Sequence, residues 1–309
     1  MCPSLCLLVY LRVMKEDKTT YEIINQSCLD AFNHINKGID LTFLDPPFNQ
    51  QKKYAYHDDN MDEATYWQFM KDVCTKTFEL TNEGGAIYFM QREKNAEFVL
   101  TILRESGWTL QNIIIWKKKT SAVPVATKYG KQYQIIAYAT KGKRAKTFHR
   151  LRIDPELPAN YKHKRENGIY VTDVWNDIRE LTSGFFAGKE AVRNEGGGRF
   201  HKQQSPLALL LRIILSSSNV GDMVFDPFAG TGTTSLVAHQ LQRNSIAVEI
   251  DPKNADYIDK RLSEIRNADL IDKYYKDYVC TKDLSEIWGE NMDEIFIPER
   301  DNNLQTKLF

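Results

Sequence analysis

A pair of prolines directly after an apolar segment most constrains how this chain folds. Asp45-Pro46-Pro47-Phe48 follows Ile39-Asp40-Leu41-Thr42-Phe43-Leu44, which has the composition of a buried strand. Each proline lacks an N–H, fixes its own φ and restricts the preceding residue, so neither strand nor helix continues through this point. The pattern predicts a stiff corner at the carboxyl end of a strand, where open α/β sheets bind ligands. An ordinary surface turn is the alternative, because Asp-Pro pairs also initiate turns.

The corner presents groups that suit chemistry on the amine of a nucleobase. An exocyclic NH2 is a poor nucleophile because its lone pair is delocalised into the ring. If the Asp45 carboxylate and the Pro46 main-chain carbonyl each accept one N–H, the nitrogen moves toward tetrahedral geometry and its lone pair is freed. Phe48 can stack on the base, an interaction worth about 1–3 kcal/mol. We therefore interpret Asp45, Pro46, Pro47 and Phe48 as candidate catalytic residues.

A second segment reads as a strand, a glycine-rich turn and a helix. It runs Val224-Phe225-Asp226-Pro227-Phe228-Ala229-Gly230-Thr231-Gly232-Thr233-Thr234, and the helix is predicted to continue to Gln242. Glycines at such a turn let the backbone approach a ligand closely. The next predicted strand ends near Glu249, nineteen positions after Gly230, close to the offset at which an acidic side chain meets ribose hydroxyls. No Lys follows the second glycine, which argues against a P-loop.

Together the two motifs resemble those of the S-adenosylmethionine-dependent amino-methyltransferases of DNA, in the permuted order called the β group. In that family the catalytic Asp-Pro-Pro-Phe/Tyr comes early and the cofactor loop Asp-Pro-Phe-x-Gly-x-Gly-Thr-Thr comes late, and both are present here without a substitution. The resemblance extends from about Tyr21 to Leu262. It implies an α/β fold with a Rossmann-like, mostly parallel sheet, helices on both faces and an inserted target-recognition region.

The resemblance also implies a site for S-adenosyl-L-methionine as cofactor. In the glycine loop and the following strand, the implied contacts are Asp226, Phe228, Ala229, Gly230, Thr231, Gly232, Thr233, Thr234 and Glu249. Ser27 stands where the family has an Asp that reaches the cofactor's adenine. Ser205 replaces the Lys of the family pattern His-Pro-x-Gln-Lys-Pro, and we expect it near the carboxylate of the cofactor's methionine end.

Positive charge is concentrated in one part of a chain that has no net charge, with 41 Lys and Arg against 41 Asp and Glu. Residues 117–165 contain 14 Lys and Arg but only Asp154 and Glu156 as acidic residues. Lys and Arg bind DNA phosphates and position the duplex. We therefore predict a DNA-binding surface in this part of the chain, with the candidate residues Lys117, Lys118, Lys119, Lys128, Lys131, Lys141, Lys143 and Arg144.

We predict five segments along the chain. In order, they are an N-terminal extension (1–20), a catalytic half (21–116), a basic target-recognition insert (117–200), a cofactor-binding half (201–265) and a C-terminal appendage (266–309). Met14 is an equally plausible translation start. The five cysteines form no Cys-x-x-Cys pair, which argues against a zinc site or a disulfide framework. No run approaches the roughly 18 apolar residues of a membrane span.

The predicted activity is direct methyl transfer to the N6 amine of an adenine flipped out of duplex DNA. Cytosine N4 is the alternative target, although cytosine members of the family more often begin the motif with Ser. A catalytically silent DNA-binding subunit and a methyltransferase of RNA or protein are alternatives from other classes. The resemblance implies duplex DNA as partner, a homodimer and, within a restriction-modification system, an endonuclease on a separate chain. We expect a cytoplasmic protein of prokaryotic or phage origin.

Overall fold

The computed structural model of the chain describes residues 19–36, 38–52, 56, 58–120, 124, 126–154, 167–181, 188–193, 196–198, 200 and 204–289. Most of the predicted N-terminal extension, including Met14, lies outside the described residues, and so does the chain after Gly289. Parts of the predicted insert, residues 155–166 and 182–187 among them, also lie outside.

Within the residues that the structure describes, eight strands form the central sheet and two more form a small separate pair. In chain order the strands are β1 (Tyr21–Ile24), β2 (Ile39–Leu44), β3 (Thr81–Arg92), β4 (Trp108–Lys117), β5 (Tyr133–Lys141), β6 (Arg152–Ile153), β7 (Ile169–Tyr170), β8 (Val174–Trp175), β9 (Met223–Asp226) and β10 (Asn244–Val248). The sheet order is β1-β10-β9-β2-β3-β5-β4-β8, and β6 pairs with β7. Only β5 runs antiparallel to its neighbours in the sheet. This confirms the predicted mostly parallel sheet.

Helices cover both faces of the sheet, as predicted. On one face lie α1 (Cys28–Ala31), α2 (Glu63–Leu80) and α3 (Ala96–Glu105). On the other face lie α4 (Leu207–Ser217), α5 (Thr233–Gln240), α6 (Pro252–Ser263) and α7 (Leu284–Trp288). In the ranges that the structure describes, no helix is long and apolar enough to cross a membrane.

Strand β3 contributes side chains to both hydrophobic cores. Ala86, Tyr88 and Met90 point into the core that contains α4, and Ile87 and Phe89 point into the core that contains α2. All five side chains are buried. Successive side chains of a strand point to opposite faces, so a strand covered on both sides needs a continuous apolar run. This requirement explains why the sequence around β3 is apolar without alternation.

The carboxyl ends of five neighbouring parallel strands meet at one edge of the sheet. These strands are β1, β10, β9, β2 and β3. From β9 the chain continues through α5 to β10, and from β2 it continues through α2 to β3, so it leaves these adjacent strands in opposite directions. Such a reversal opens a crevice in which ligands bind. Asp45 follows β2 and Asp226 ends β9, so both predicted motifs lie at this crevice.

The predicted target-recognition insert is not separate from the main sheet. Strand β5 lies within residues 117–200, yet it occupies the position between β3 and β4, with Ile136, Ala137 and Ala139 buried. Val174–Trp175 then returns as β8 and pairs with β4. The predicted boundary at residue 117 falls at the end of β4, between two neighbouring strands of one sheet, and the division of the chain at this point stays a prediction. The apolar run of β5 requires cover on both faces, and the two hydrophobic cores provide it: Ile136 lies in the core that contains α4, and Ala137 and Ala139 lie in the core that contains α2.

The predicted C-terminal appendage also packs onto the main core, as far as the structure describes it. Ile271, Tyr275, Tyr278, Leu284 and Trp288 are buried in the same core as α4. The boundary at residue 266 therefore does not mark an independent segment. The aromatic side chains of this region are used for packing against the sheet domain.

Lys141, which was predicted to bind DNA, instead stabilises the end of α2. Its Nζ donates to the main-chain carbonyls of Phe78 and Thr81, both at 2.8 Å, and lies 4.7 Å from the centre of the Phe78 ring. The last carbonyls of a helix lack intrahelical partners and attract a cation. We expect Lys141→Met to lower the free energy of unfolding by about 1–3 kcal/mol, measured by urea denaturation.

Lys143→Met is the matched control, because Lys143 is exposed just beyond the same end of β5. We expect its free energy of unfolding to equal that of the wild type. Unchanged stability of Lys141→Met together with weaker DNA binding would restore the original assignment of Lys141.

Candidate active site

Two buried side chains hold the proline corner in place. Tyr66 of α2 donates from its hydroxyl to the Pro47 carbonyl at 2.8 Å, and Gln91 of β3 donates from Nε2 to the Tyr66 hydroxyl oxygen at 2.9 Å. Gln91 Oε1 in turn accepts the N–H of Arg92 at 2.9 Å. The orientation of the corner is therefore fixed relative to α2 and β3. Neither Tyr66 nor Gln91 could be predicted from the sequence, because nothing near them in the chain relates them to the corner.

The Asp45 carboxylate is half-buried and accepts a hydrogen bond from Ser205. The Ser205 Oγ donates to Asp45 Oδ2 at 3.0 Å. Burial raises the pKa of Asp45 to about 7; the Ser205 hydrogen bond and the charges of Lys118 and Lys52 lower this pKa, and the charge of Asp226 raises it. Ser205 was predicted to face the methionine end of a cofactor. Its partner in the structure is the candidate catalytic carboxylate instead.

Asp226 ends β9 and connects the two ends of the glycine loop. Its Oδ1 accepts the N–H of Phe228 at 3.0 Å, and its Oδ2 accepts the hydroxyl of Thr234 at 2.5 Å. Burial raises the pKa of Asp226 to about 6, although both hydrogen bonds lower it. The carboxylate therefore joins the start of the loop to the first turn of α5.

Two glycines give the loop a backbone path that other residues rarely adopt. Gly230 and Gly232 have φ values of +57° and +72°, in the left-handed region that favours glycine. A Cβ added at Gly232 would lie 2.7 Å from Cγ2 of Ile258 in α6. Helix α5 begins directly after Gly232. The second glycine is therefore required both by its own conformation and by the close approach of α6.

Glu249, just after β10, holds the glycine loop from the opposite side. Its Oε2 accepts the N–H of Gly230 at 2.8 Å, and its Oε1 accepts from the N–H of Asp251 at 2.9 Å and from Nδ2 of Asn254 at 3.3 Å. Burial raises the pKa of Glu249. The carboxylate lies beside the loop, as its spacing from Gly230 predicted. Its contact with a ribose stays a prediction.

A buried ion-pair network behind the glycine loop was not predicted. Arg261 donates from Nη1 to the Thr231 carbonyl at 2.9 Å and to Thr233 Oγ1 at 3.1 Å, and it pairs with Asp269 at 2.7 Å. Arg266 binds the other oxygen of Asp269 at 2.6 Å. Arg261 and Asp269 are buried. Sequence patterns did not reveal this network, because charged side chains are normally expected at the surface.

The segment after β1 forms a further wall of the site. Ser27 caps α1, since its Oγ accepts the N–H of Asp30 at 3.3 Å and donates to Asp30 Oδ2 at 2.6 Å. The hydroxyl predicted to reach an adenine is therefore already engaged. Among the described residues, the buried Oε1 of the neighbouring Gln26 has no hydrogen-bond partner. Gln26 is thus better placed than Ser27 to form a hydrogen bond with a ligand.

These walls enclose a cavity of about 740 Å³. The predicted residues that line this first cavity are Ser27, Asp45, Pro46, Pro47, Phe48, Ser205, Asp226, Phe228, Ala229, Gly230, Thr231, Thr233, Thr234 and Glu249. Gly232 does not line it and acts through the loop backbone. A volume of this size is typical of small-molecule and cofactor sites. Within the described part of the chain, no group of three or more His, Cys, Asp and Glu side chains is arranged to hold a metal ion.

A second cavity, of about 520 Å³, shares a wall with the first. The residues that line both cavities are Asp45, Phe48, Lys52, Gln204 and Ser205. The cationic side chains that line the second cavity are Lys52, Arg92, Lys118 and Lys131. Lys131 pairs with Glu93 at 2.6 Å. Burial lowers the pKa of both Lys52 and Lys118, so their charges are held in a partly desolvated environment.

The predicted DNA-binding residues lie at two opposite edges of the sheet. One edge is formed by the carboxyl ends of the parallel strands and the other by their amino ends. One group is at the end of β4 or in the connection to β5, at the edge that carries Asp45: Lys117, Lys118, Lys119, Lys128 and Lys131. The other group, Lys141, Lys143 and Arg144, lies at or beyond the carboxyl end of β5. The sheet register pairs Lys141 with Trp108 at the amino end of β4. Because β5 is antiparallel, the two groups lie at opposite ends of the strands, and DNA binding by either group stays a prediction.

The glycine loop yields a stability prediction. We expect Gly232→Ala to lower the free energy of unfolding by more than the roughly 1–3 kcal/mol of backbone strain, because its Cβ also meets Ile258. Gly221→Ala is the matched control: Gly221 has φ +84° but open space around a Cβ. Chemical denaturation of both variants measures the difference. Equal losses in the two variants would show that the close approach of Ile258 carries no cost.

The sequence is similar to bacterial DNA methyltransferases over most of its length. It is 29% identical over 269 residues to the Type II methyltransferase M.HpaI of Haemophilus parainfluenzae, covering 85% of this chain and 81% of that protein. It is 29% identical over 266 residues to the DNA adenine methyltransferase YhdJ of Escherichia coli K12, covering 79% of this chain and 82% of that protein.

Solved structures of methyltransferases share the fold at low sequence identity. The M1.HpyAVI–SAM complex superposes with a TM-score of 0.53 at 22% identity, covering 78% of this chain and all of that one. The PvuII DNA methyltransferase, described as cytosine-N4-specific, superposes with a TM-score of 0.60 at 14% identity, covering 87% and 91%. The model of the N6/N4 DNA methylase family matches residues 39–260. Because this match spans most of the chain and includes both cavity-forming motifs, the chain belongs to the N6/N4 DNA methylase family.

Proposed function

We propose that this DNA methylase transfers a methyl group from S-adenosylmethionine to the exocyclic N6 amine of an adenine flipped out of duplex DNA. One observation carries the proposal: Asp45 lines both cavities, together with Phe48 and Ser205. A methyl donor in the first cavity and a target base in the second would therefore meet at the Asp45 carboxylate. Direct transfer between two bound molecules requires this arrangement, because positioning supplies much of the rate enhancement.

The first cavity fits S-adenosylmethionine. The glycine loop allows close backbone approach, Glu249 supplies a carboxylate beside Gly230, and Gln26 has a buried oxygen without a partner for a polar group of the ligand. These residues, with Phe228 on the cavity wall, would hold the cofactor. When bound, the cofactor supplies a methyl group activated by its sulfonium sulfur.

The proline corner would prepare the amine of the target base. The Asp45 carboxylate and the Pro46 carbonyl accept hydrogen bonds from its two N–H groups, which directs the nitrogen lone pair away from the ring. Formation of the N–C bond would break the S–C bond and leave a neutral thioether. The methylated nitrogen would then carry a positive charge and would lose one of its protons to solvent. Phe48 stacks on the base, worth about 1–3 kcal/mol. The Pro47 carbonyl is engaged with Tyr66, which keeps the corner from turning.

The ionised Asp45 carboxylate accepts an N–H more strongly than the protonated acid does, which makes the proposed reaction pH-dependent. Burial raises the pKa of Asp45 to about 7. Below that pH the protonated carboxyl has an O–H that donates, and it keeps only a weaker, uncharged acceptor for the amine. Activity should therefore rise as pH increases through about 7.

Two observations support adenine over cytosine as the target. The motif begins with Asp45 rather than the Ser that is more common in cytosine members of the resembling family, and the relative YhdJ is named a DNA adenine methyltransferase. Cytosine N4 is the second candidate, because the PvuII enzyme described as cytosine-N4-specific has the same fold. A silent DNA-binding subunit is disfavoured, since the groups at both motifs are held in place by specific hydrogen bonds.

The deciding experiment identifies the methylated nucleoside. Purified protein is incubated with unmethylated DNA and methyl-labelled S-adenosylmethionine, and the DNA is digested and analysed by mass spectrometry. We expect labelled N6-methyldeoxyadenosine. Asp45→Ala is the matched control, expected to lose transfer while it retains cofactor affinity by calorimetry. Labelled N4-methylcytosine would overturn the adenine assignment. Equal loss of cofactor binding and methyl transfer in Asp45→Ala would show that Asp45 is not the catalytic residue.

The second cavity also suits the DNA backbone next to the target base. Lys52, Arg92 and Lys118 have no carboxylate within ion-pair distance among the described residues. The carboxylates of Asp59 and Glu180 act on Lys52 and Lys118 from beyond ion-pair distance, yet desolvation keeps the pKa of both lysines lowered, so their positive charges remain costly. A DNA phosphate would offset this cost. We propose that the duplex approaches this edge of the sheet, and that Lys143 and Arg144 at the opposite edge do not contact it.

The salt dependence of DNA binding tests which edge of the sheet contacts the duplex. We expect Lys52→Ala and Lys118→Ala each to reduce the slope of log Kd against log salt concentration by about 0.7–0.9, the value for one lost phosphate contact. Lys143→Ala, the control at the opposite edge, should leave the slope unchanged. Fluorescence anisotropy with an unmethylated duplex provides the measurement. A larger change for Lys143→Ala than for Lys118→Ala would place the duplex at the opposite edge of the sheet and contradict this proposal.

The partners of the protein beyond DNA follow from the resemblance. We propose a homodimer, and any restriction endonuclease that acts on the same sites would be a separate chain. A cytoplasmic location suits an enzyme that acts on DNA. Sedimentation of the purified protein would test the homodimer directly.

A further inference from the structure

Ser205 connects the catalytic corner to a distant part of the chain. It lies 160 residues after Asp45, just before α4, and its hydroxyl donates to Asp45 Oδ2 at 3.0 Å. Its side chain lines both cavities. The serine therefore touches the one carboxylate that the proposed reaction requires, on the wall where the methyl donor and the target base would meet.

The main chain on both sides of Ser205 is anchored. Gln204 Oε1 accepts the N–H of Val192 at 2.9 Å, and Gln204 Nε2 donates to the Glu190 carbonyl at 3.2 Å. The Glu190 carboxylate accepts the N–H of Leu207, in the first turn of α4, at 2.6 Å. Arg266 adds a hydrogen bond to the Glu190 carbonyl at 3.0 Å. Ser205 is thus held at a fixed place relative to Asp45, not carried on a free loop.

We propose that Ser205 is a positioning residue: its hydroxyl holds one oxygen of Asp45, keeps the carboxylate ionised and leaves the other oxygen to accept the N–H of the target amine. The inference rests on the proposed methyl transfer. Ser205 itself touches neither the base nor the methyl group in this role. It acts on the reaction only through Asp45.

The charges around Asp45 explain why such a donor is needed. Burial raises the pKa of Asp45 most, and Asp226 at the end of β9 raises it further. Lys118 at the end of β4 and Lys52 in the segment after β2 lower it, but the Ser205 hydrogen bond is the largest lowering influence. The phenol of Tyr66, which also faces Asp45, stays protonated, because burial raises its pKa above the usual range. Without the serine, more Asp45 would be protonated near neutral pH.

The test compares Ser205→Ala with Ser205→Thr, which keeps the hydroxyl. The pH dependence of kcat is measured at saturating DNA and cofactor, and cofactor affinity is measured by calorimetry. For Ser205→Ala we expect the acid limb of the profile to move to higher pH by about half a unit to one unit. At pH 7 this shift lowers kcat about two- to fivefold. Ser205→Thr should restore the limb, and cofactor affinity should stay within about twofold in both variants.

A second measurement reports on Asp45 without catalysis. In protein labelled with ¹³C at the aspartate side-chain carboxyl, the Asp45 signal is assigned by its absence in Asp45→Asn. Its NMR titration should move to higher pH in Ser205→Ala and return in Ser205→Thr. The assignment also separates Asp45 from Asp226, which burial likewise shifts upward.

The outcomes separate this inference from the proposed function. An unchanged Asp45 titration in a folded Ser205→Ala protein overturns the positioning role. If that variant instead loses cofactor affinity tenfold while the acid limb of its pH profile does not move, the serine binds the cofactor, as the family resemblance of its motif implies. A wild-type protein that methylates no DNA overturns the proposed function, while the NMR titration still decides the contact between Ser205 and Asp45.

Discussion

The site depends on the direction of five adjacent strands. Because β1, β10, β9, β2 and β3 are parallel, their carboxyl ends and the polar residues that follow them lie at one edge of the sheet. The chain leaves β9 and β2 in opposite directions, so a crevice opens between their ends. Asp45 and Asp226 are therefore neighbours although 181 positions separate them in the sequence. A different strand order would leave both motifs intact and the site unassembled.

Gathering carboxylates at one edge carries an electrostatic cost, which specific donors offset. Burial raises the pKa values of Asp45, Asp226 and Glu249, so each would tend toward its neutral form. Each receives hydrogen bonds from separate parts of the chain: a serine hydroxyl at Asp45, a loop N–H and a threonine hydroxyl at Asp226, and two main-chain N–H groups at Glu249. The same hydrogen bonds also fix the loops in place, so ionisation and geometry are maintained together.

The sequence predicted the parts of the site that are local. The proline corner and the glycine loop are each a short run of consecutive residues whose backbone preferences are strong, and both lie at the crevice. The contacts of Ser205 with Asp45 and of Arg261 with Thr231 join segments far apart in the chain, and no periodicity or spacing reveals them. The basic segment is a different case: a charge count has no direction, and the antiparallel course of β5 carries Lys141, Lys143 and Arg144 to the opposite edge.

The wall between the two cavities is held rigid for a chemical reason. A carboxylate that only accepts an N–H adds no covalent chemistry, so its contribution depends on where its free oxygen lies relative to the amine. Tyr66 of α2 fixes the backbone of the corner, and Ser205, in the segment that leads into α4, fixes the carboxylate; α2 and α4 lie on opposite faces of the sheet. Movement of either helix layer would alter the alignment of Asp45. The wall between the two cavities therefore links the packing of both hydrophobic cores to the geometry of the transfer.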